Sequence, residues 1–172
     1  MTQSPTTGIV AVRDATEADL PAVIAIYTHY VLRTTITFNT AVPNPVEWVQ
    51  RFRRNITNGP YDLLVGEIGG HVGGYVETGP FRPKPAYQSS LETSIYVAPD
   101  AGGAGIGSGL YDALLPRLGG HGFHRAYAII ALPNDRSVAF HEGHGFVHRG
   151  TLTEAGRKFD RFIDVGYWER AL

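Results

Sequence analysis

Five of the fourteen residues from Val97 to Leu110 are glycine, and they separate an apolar, strand-like stretch from a helix-like one. Glycine lets a backbone approach a ligand closely, and the free N–H groups and dipole at a helix start favour negative charge. The run Gly102-Gly103-Ala104-Gly105-Ile106-Gly107-Ser108 therefore reads as a cradle for a pyrophosphate. A nucleotide-hydrolase phosphate loop would end in Gly-Lys-Ser/Thr, and no lysine occurs between Val97 and Leu118. A dinucleotide fingerprint can be laid over Gly103 to Gly107, but it should open a βαβ unit with an acidic residue some ~20 positions on. Gly119-Gly-His-Gly-Phe123 occupies much of that stretch. A purely structural turn stays open as the third reading.

Other residue types could do chemistry. Glu92 begins the strand-like stretch, and Asn134, Ser137 and His141 fall on one face of a helix-like segment, so one surface can meet one ligand. The seven histidines include His121 with His124 and His141 with His144, each spaced by three, but neither pair has an obvious third ligand nearby, and no metal is expected. With no cysteine, disulfides, thiolate metal sites and a cysteine nucleophile are excluded. A formal net charge of −1 gives no basic footprint for nucleic acid or an anionic membrane. No apolar run approaches membrane-span length, and the start lacks signal-peptide features, which points to a cytoplasmic protein.

The elements that must hold these groups follow from periodicity. At 172 residues and 43% hydrophobic content the chain fits one domain over 8–172, preceded by a disordered tail over 1–7. Ile9 to Arg13 reads as a strand. Thr16-Glu-Ala-Asp19 is a capping signal for a helix with Leu20, Val23, Ile24, Tyr27 and Val31 on one face. A second helix is expected over 43–54, capped by Asn44 with Pro45 in its first turn. Asp62 to Ile68 and Val72 to Glu77, joined by Gly69-Gly70, form a hairpin pattern. Three prolines between Gly79 and Tyr87 favour an ordered loop. Ile106, Leu110, Leu114 and Leu118 recur every four residues as the cradle helix, which Pro116 is expected to kink or end early. Arg125 to Leu132 reads as a strand and Asn134 to Glu142 as a short helix. Strands over Phe146 to Leu152 and Phe162 to Glu169 close the chain. The expected class is α/β (α+β), with a mixed, largely antiparallel twisted sheet and about four helices.

The glycine cradle after a strand, followed by Asn134, Ser137, Phe140, His141, Gly145 and Phe146, resembles the Gcn5-related N-acetyltransferase (GNAT) superfamily. Over nearly its whole length the chain is similar to the phosphinothricin and methionine sulfoximine N-acetyltransferases. The supporting stretches are Ile26-Tyr-Thr-His-Tyr30, Thr37-Phe38, Gly79-Pro80 through Tyr87, Glu92 to Val97, Leu132-Pro-Asn-Asp-Arg-Ser-Val138, His141-Glu142 and Asp164-Val-Gly-Tyr-Trp168. One departure is Gly102, which stands where the superfamily usually has arginine or glutamine, so weaker acetyl-CoA binding is expected.

The resemblance implies that acetyl-CoA binds with its pyrophosphate at the amides of Gly103, Ala104, Gly105, Ile106, Gly107 and Ser108. Its pantetheine arm would lie beside the edge of Ile95, Tyr96 and Val97, with Asn134 and Ser137 as further contacts. Asn134 is equally suited to capping its helix. Glu92 is the implied general base, helped by burial or a relaying water, or else a glutamate paired with a surface cation. His141 is implied to carry a proton, from the amine or to the sulfur, or is a satisfied structural histidine. Tyr111 could approach the sulfur or belong to the core. Arg82, Lys84 and Tyr87, with Phe38 as an apolar wall, are the implied contacts to a substrate bearing a carboxylate and a phosphinyl or sulfonyl group, unless the two cations are simply solvated. Lys158 to Asp164 is implied to be a lid or dimer strand, and the subgroup implies a homodimer. A protein N-terminus or polyamine as acceptor, and a CoA-binding regulator without turnover, are the competing readings.

Overall fold

The computed structural model describes residues 10–172, so the expected tail over 1–7 lies outside the described residues. Seven strands form one sheet in the order β1-β2-β3-β4-β5-β7-β6: β1 Ala11–Asp14, β2 Leu63–Ile68, β3 His71–Pro80, β4 Ser90–Val97, β5 Arg125–Leu132, β6 Val147–Lys158 and β7 Arg161–Ala171. Every neighbouring pair is antiparallel except β4 and β5. Four α-helices cover the two faces: α1 Leu20–Arg33, α2 Pro45–Phe52, α3 Ile106–Gly120 and α4 Asp135–Gly143. The expected mixed, largely antiparallel class is what the chain adopts.

The helix starts are set by local chemistry. Asn44 accepts a hydrogen bond from the Val46 N–H at 2.9 Å with Pro45 beside it, a cap that contributes about 1 kcal/mol. Before α1, the Thr16 N–H and hydroxyl both donate to the Asp19 carboxylate, which also receives Arg13 at 2.7 Å. That guanidinium holds the Asp19 carboxyl well below the usual carboxylate range.

Strand pleating sends alternate residues to opposite faces. Leu63, Val65 and Tyr75 pack under α1 and α2, against Val23 and Trp48. Leu64, Val76 and Leu91 pack on the other face against Leu110, Leu114 and Leu118 of α3. In α1 the expected face is buried at Leu20, Val23, Tyr27 and Val31, with Ile26 added and Ile24 only half-buried.

α3 continues through Pro116 to Gly120, against the expectation of an early end. Pro116 and Asp112 are both exposed, so the carbonyl that loses its donor is free to turn to water. The fully buried leucines on either side of that turn hold the helix in place. β3, β6 and β7 are also longer than the sequence patterns indicate, because strand pairing extends through polar ends that carry no periodicity.

Two features position the cradle. The side chain of Ile106, the first residue of α3, fills a hollow over three glycines: a Cβ at Gly66, Gly73 or Gly74 would stand 2.8, 2.7 or 2.8 Å from it. In addition, β4 and β5 pair only from Ser90 to Glu92 against Arg125 to Tyr127. Beyond that point the two strands diverge and leave a cleft in the middle of the sheet, lined by Thr93 and Ile95 on one side and Ala128 and Ile130 on the other.

Candidate active site

The cradle begins where β4 ends. After a short turn over Pro99–Ala101, Gly103 and Gly105 adopt φ of +85° and +80°, a left-handed conformation that strains any residue with a side chain. A Cβ at either position would meet nothing within 4 Å, so these glycines are needed for the path of the backbone and not for want of space. Gly105 caps the fifteen-residue α3, and no side chain caps its first N–H groups among the described residues. At Gly107, by contrast, a Cβ would press to 3.2 Å of the Phe140 ring, which packs α3 against α4. Backbone with free donors, open space and a helix start suit a diphosphate, while the adjoining cleft between β4 and β5, lined by apolar and hydrogen-bonding side chains together, suits an extended arm that carries both kinds of group. The residues present therefore fit acetyl-CoA. Gly103 to Ser108 would hold the diphosphate, and the β4 edge with Asn134 and Ser137 would hold the arm.

Asn134 caps α4: its Oδ1 accepts the Ser137 N–H at 3.2 Å. Both residues line the cleft beside His141. His141 is 4% exposed and has both ring nitrogens engaged. Because a carbonyl only accepts, Nδ1 must carry the proton it donates to Ser137 O at 2.7 Å. Nε2 is then the acceptor for the Tyr111 hydroxyl at 2.9 Å. Thr93 Oγ1 in turn donates to that hydroxyl at 3.4 Å. Burial lowers the His141 pKa and raises that of Tyr111, so both are neutral at pH 7. Of the sequence expectations, the satisfied histidine describes His141 best, and Tyr111, fully buried, is both core and hydrogen-bond partner.

Glu92 faces the opposite side of the sheet. It is the last β4 residue paired with β5, and it shares its face with Ser94 and Tyr96. Burial raises its pKa, with Arg82 partly opposing. Across the β3–β4 ladder, Ser94 pairs with Glu77, which puts a second carboxylate on this face. Glu77 is also raised by burial and is bound by Arg51 at 2.9 Å. The Tyr96 ring lies among Tyr27, Tyr30 and Tyr75, with centroids 5.2, 5.0 and 5.4 Å away. Sequence reasoning named Tyr27, Tyr30 and Thr37 only within matched stretches or a core face, and gave Glu77 no role at the site. Only the β3 alternation of Tyr75 and Glu77, combined with the hairpin register, could have signalled Glu77.

The expected substrate contacts divide. Arg82 donates to Phe81 O and to the Tyr167 hydroxyl at 2.7 and 3.2 Å, and its guanidinium stacks on the Phe81 ring. Tyr87 meets Phe81 edge-on. Phe38 packs over Gly156 of β6, and Lys158 donates to Thr37 O at 2.7 Å, which ties the segment before α2 to the β6–β7 hairpin. Lys84 is exposed and joins none of these contacts among the described residues. Nor do the described residues contain a group of three side chains arranged to hold a metal ion.

A cleft between splayed strands with a glycine cradle at its end is a shared architecture. Residues 12–166 match the acetyltransferase (GNAT) domain family. The chain belongs to the GNAT acetyltransferases. Among GNAT proteins it is 45% identical over 170 residues to the phosphinothricin N-acetyltransferase of Streptomyces coelicolor, covering 98% of this chain and 99% of that one. It is 33% identical to the L-methionine sulfoximine/L-methionine sulfone acetyltransferase of Pseudomonas aeruginosa, covering 92% of each. The structure of a GNAT phosphinothricin acetyltransferase from Sinorhizobium meliloti, in complex with acetyl-CoA, superposes with a TM-score of 0.90 at 34% identity, covering 95% of this chain and 88% of that one. As an acetyl-CoA-dependent acyltransferase family, GNAT accounts for the cradle and the cleft together.

Proposed function

We propose that this GNAT protein, acting through one domain over residues 8–172, transfers acetyl from acetyl-CoA to the α-amine of a small amino acid analogue of the phosphinothricin or methionine sulfoximine and sulfone type. The observation that carries the reading is the end of β4–β5 pairing at Glu92. At that point a carboxylate of raised pKa stands where the cleft opens towards the α1 and α2 face.

The acceptor enters from that face. Its carboxylate and phosphinyl or sulfonyl oxygens meet Arg82, with Phe38 and Tyr87 as walls and Lys84 reserved for longer-range attraction. Glu92 takes a proton from the ammonium and passes it to water, the nitrogen attacks the acetyl carbon, the C–N bond forms as the C–S bond breaks, and the second nitrogen proton leaves to Glu92 while water restores the proton given to sulfur. The departing sulfur receives its proton from the opposite side of the cleft, where Ser137, His141 and Tyr111 form one hydrogen-bonded set. His141 works through Tyr111 and Ser137, because both of its nitrogens are committed. Similarity to enzymes named for these substrates supports the acceptor class.

The same reading includes a cytoplasmic homodimer that confers resistance to such analogues. β6 is a twelve-residue edge strand with Val147 and Leu152 about half exposed, a surface of the kind that pairs with another chain. Sedimentation at a single-chain mass would remove the dimer.

The deciding test is thiol release from acetyl-CoA with phosphinothricin, methionine sulfoximine, methionine sulfone, spermidine and an alanyl peptide. The chain contributes no thiol background, since it has no cysteine. Turnover with the first three is expected. Turnover with the peptide or spermidine alone would replace the acceptor while keeping the family chemistry.

A further inference from the structure

Arg136, the second residue of α4, carries an exposed side chain that reaches away from its own helix to the glycine cradle. Both terminal nitrogens of its guanidinium lie 3.7 Å from the point where a Cβ on Gly102 would stand. Its charge also acts on the Tyr30 hydroxyl, which donates to Val97 O at the end of β4. The guanidinium therefore spans the mouth of the cleft, between the first turn of α4 and the cradle. Among the described residues it makes no ion pair, in a chain where seven other arginines do. Asp100, which lies in the turn before the cradle, is not paired with it.

Gly102 makes this arrangement possible. Its φ of −63° and ψ of 139° suit any residue, so glycine is not required there by the backbone. What glycine supplies is room, because a long side chain at 102 would occupy the space in which the guanidinium lies. An unpaired guanidinium beside a row of backbone donors at a helix start is chemistry suited to a diphosphate.

We infer that Arg136 is a cofactor-binding residue of this chain, donating from α4 to the diphosphate of acetyl-CoA in place of a side chain from the cradle itself. The inference rests on the acetyltransferase reading. On this inference the charge missing at 102 is supplied from the other side of the cleft.

The test is calorimetric titration of CoA, 3′-dephospho-CoA and pantetheine into the full chain and its variants, with no acceptor present. Arg136→Ala is expected to weaken CoA binding about tenfold, to weaken 3′-dephospho-CoA by the same factor and to leave pantetheine unchanged. Adding Gly102→Arg to Arg136→Ala is expected to restore most of the loss, since a Cβ fits at 102. Failure of the wild-type chain to bind CoA would overturn the acetyltransferase reading itself. Wild-type binding with less than a threefold loss in Arg136→Ala would overturn only the role of Arg136. A loss that disappears with 3′-dephospho-CoA would move the contact to the 3′-phosphate and overturn the diphosphate assignment. Circular dichroism of each variant separates misfolding from lost contact, and Arg136→Gln supplies a second neutral variant of similar length.

Discussion

The two sides of the β4–β5 cleft are built from different materials. Towards α3 and α4, the site is mostly backbone: left-handed glycines, a helix start and a buried hydrogen-bonded set in which His141 and Tyr111 satisfy each other. Towards α1 and α2, it is side chains from widely separated segments: Glu77 and Glu92 on neighbouring strands, Arg82 and Tyr87 on a loop, and Phe38 on the segment before α2. A group common to every turnover can be met by invariant backbone geometry. An acceptor that differs between enzymes calls for side chains that can be exchanged without moving the frame.

Substitutions on the two sides should therefore separate cleanly. Glu92→Gln should lower kcat about 100-fold to 1000-fold, the range of a lost general base, with CoA affinity unchanged by calorimetry. Turnover within threefold of wild type would remove Glu92 from that role. The same variant bears on pH. Burial raises the Glu92 pKa, and the base must be ionised, so kcat/KM should fall as pH drops through a value above the usual glutamate figure of about 4.3. The Gln variant should lose that acid limb.

On the other side, Gly105→Val places a branched residue at φ +80°, which costs on the order of 1–3 kcal/mol. CoA binding should weaken about 10-fold to 100-fold, and the acceptor KM measured at saturating acetyl-CoA should not change. An altered acceptor KM would show that the two sides are coupled. A smaller effect is expected from Lys158→Met, which leaves Thr37 O without its donor and loosens the segment bearing Phe38. The acceptor KM should rise about threefold to tenfold while CoA affinity holds.

The buried set is read through stability instead of affinity. Tyr111→Phe leaves His141 Nε2 without a partner, at a cost of about 1–3 kcal/mol. For a chain of this size that is a fall in Tm of roughly 2–4 °C per kcal/mol. Because the folded imidazole has a lowered pKa, the unfolded chain binds the proton more readily. Wild-type stability should thus rise with pH from the folded His141 value up to the ordinary histidine pKa of about 6.5.

The contrast also explains what could be read in advance. The cradle, the helix caps at Asn44 and Asn134 and the β2–β3 hairpin were legible because their signals are consecutive residues whose local chemistry acts alone. The acceptor side was only half legible. Glu92 and Arg82 came through resemblance, whereas Glu77 joins Glu92 through strand register, which no local pattern records. The hydrogen-bond state of His141 depended on Tyr111, thirty residues away. Pro116 was misread because its local cost is real but falls on a solvent face, and burial of the leucines around it outweighs it.

Ile106 seated over Gly66, Gly73 and Gly74 carries a consequence for how such chains diverge. One side chain at the start of α3 is matched to hydrogens on two strands far from it in sequence. These four positions are thus coupled: alanine at 74 would require a smaller residue at 106 or a shift of the whole helix, and with it every amide of the cradle. In the acceptor pocket the same linkage is confined to Phe38 over Gly156, so most substitutions there can come one at a time around a cofactor seat that changes only in concert.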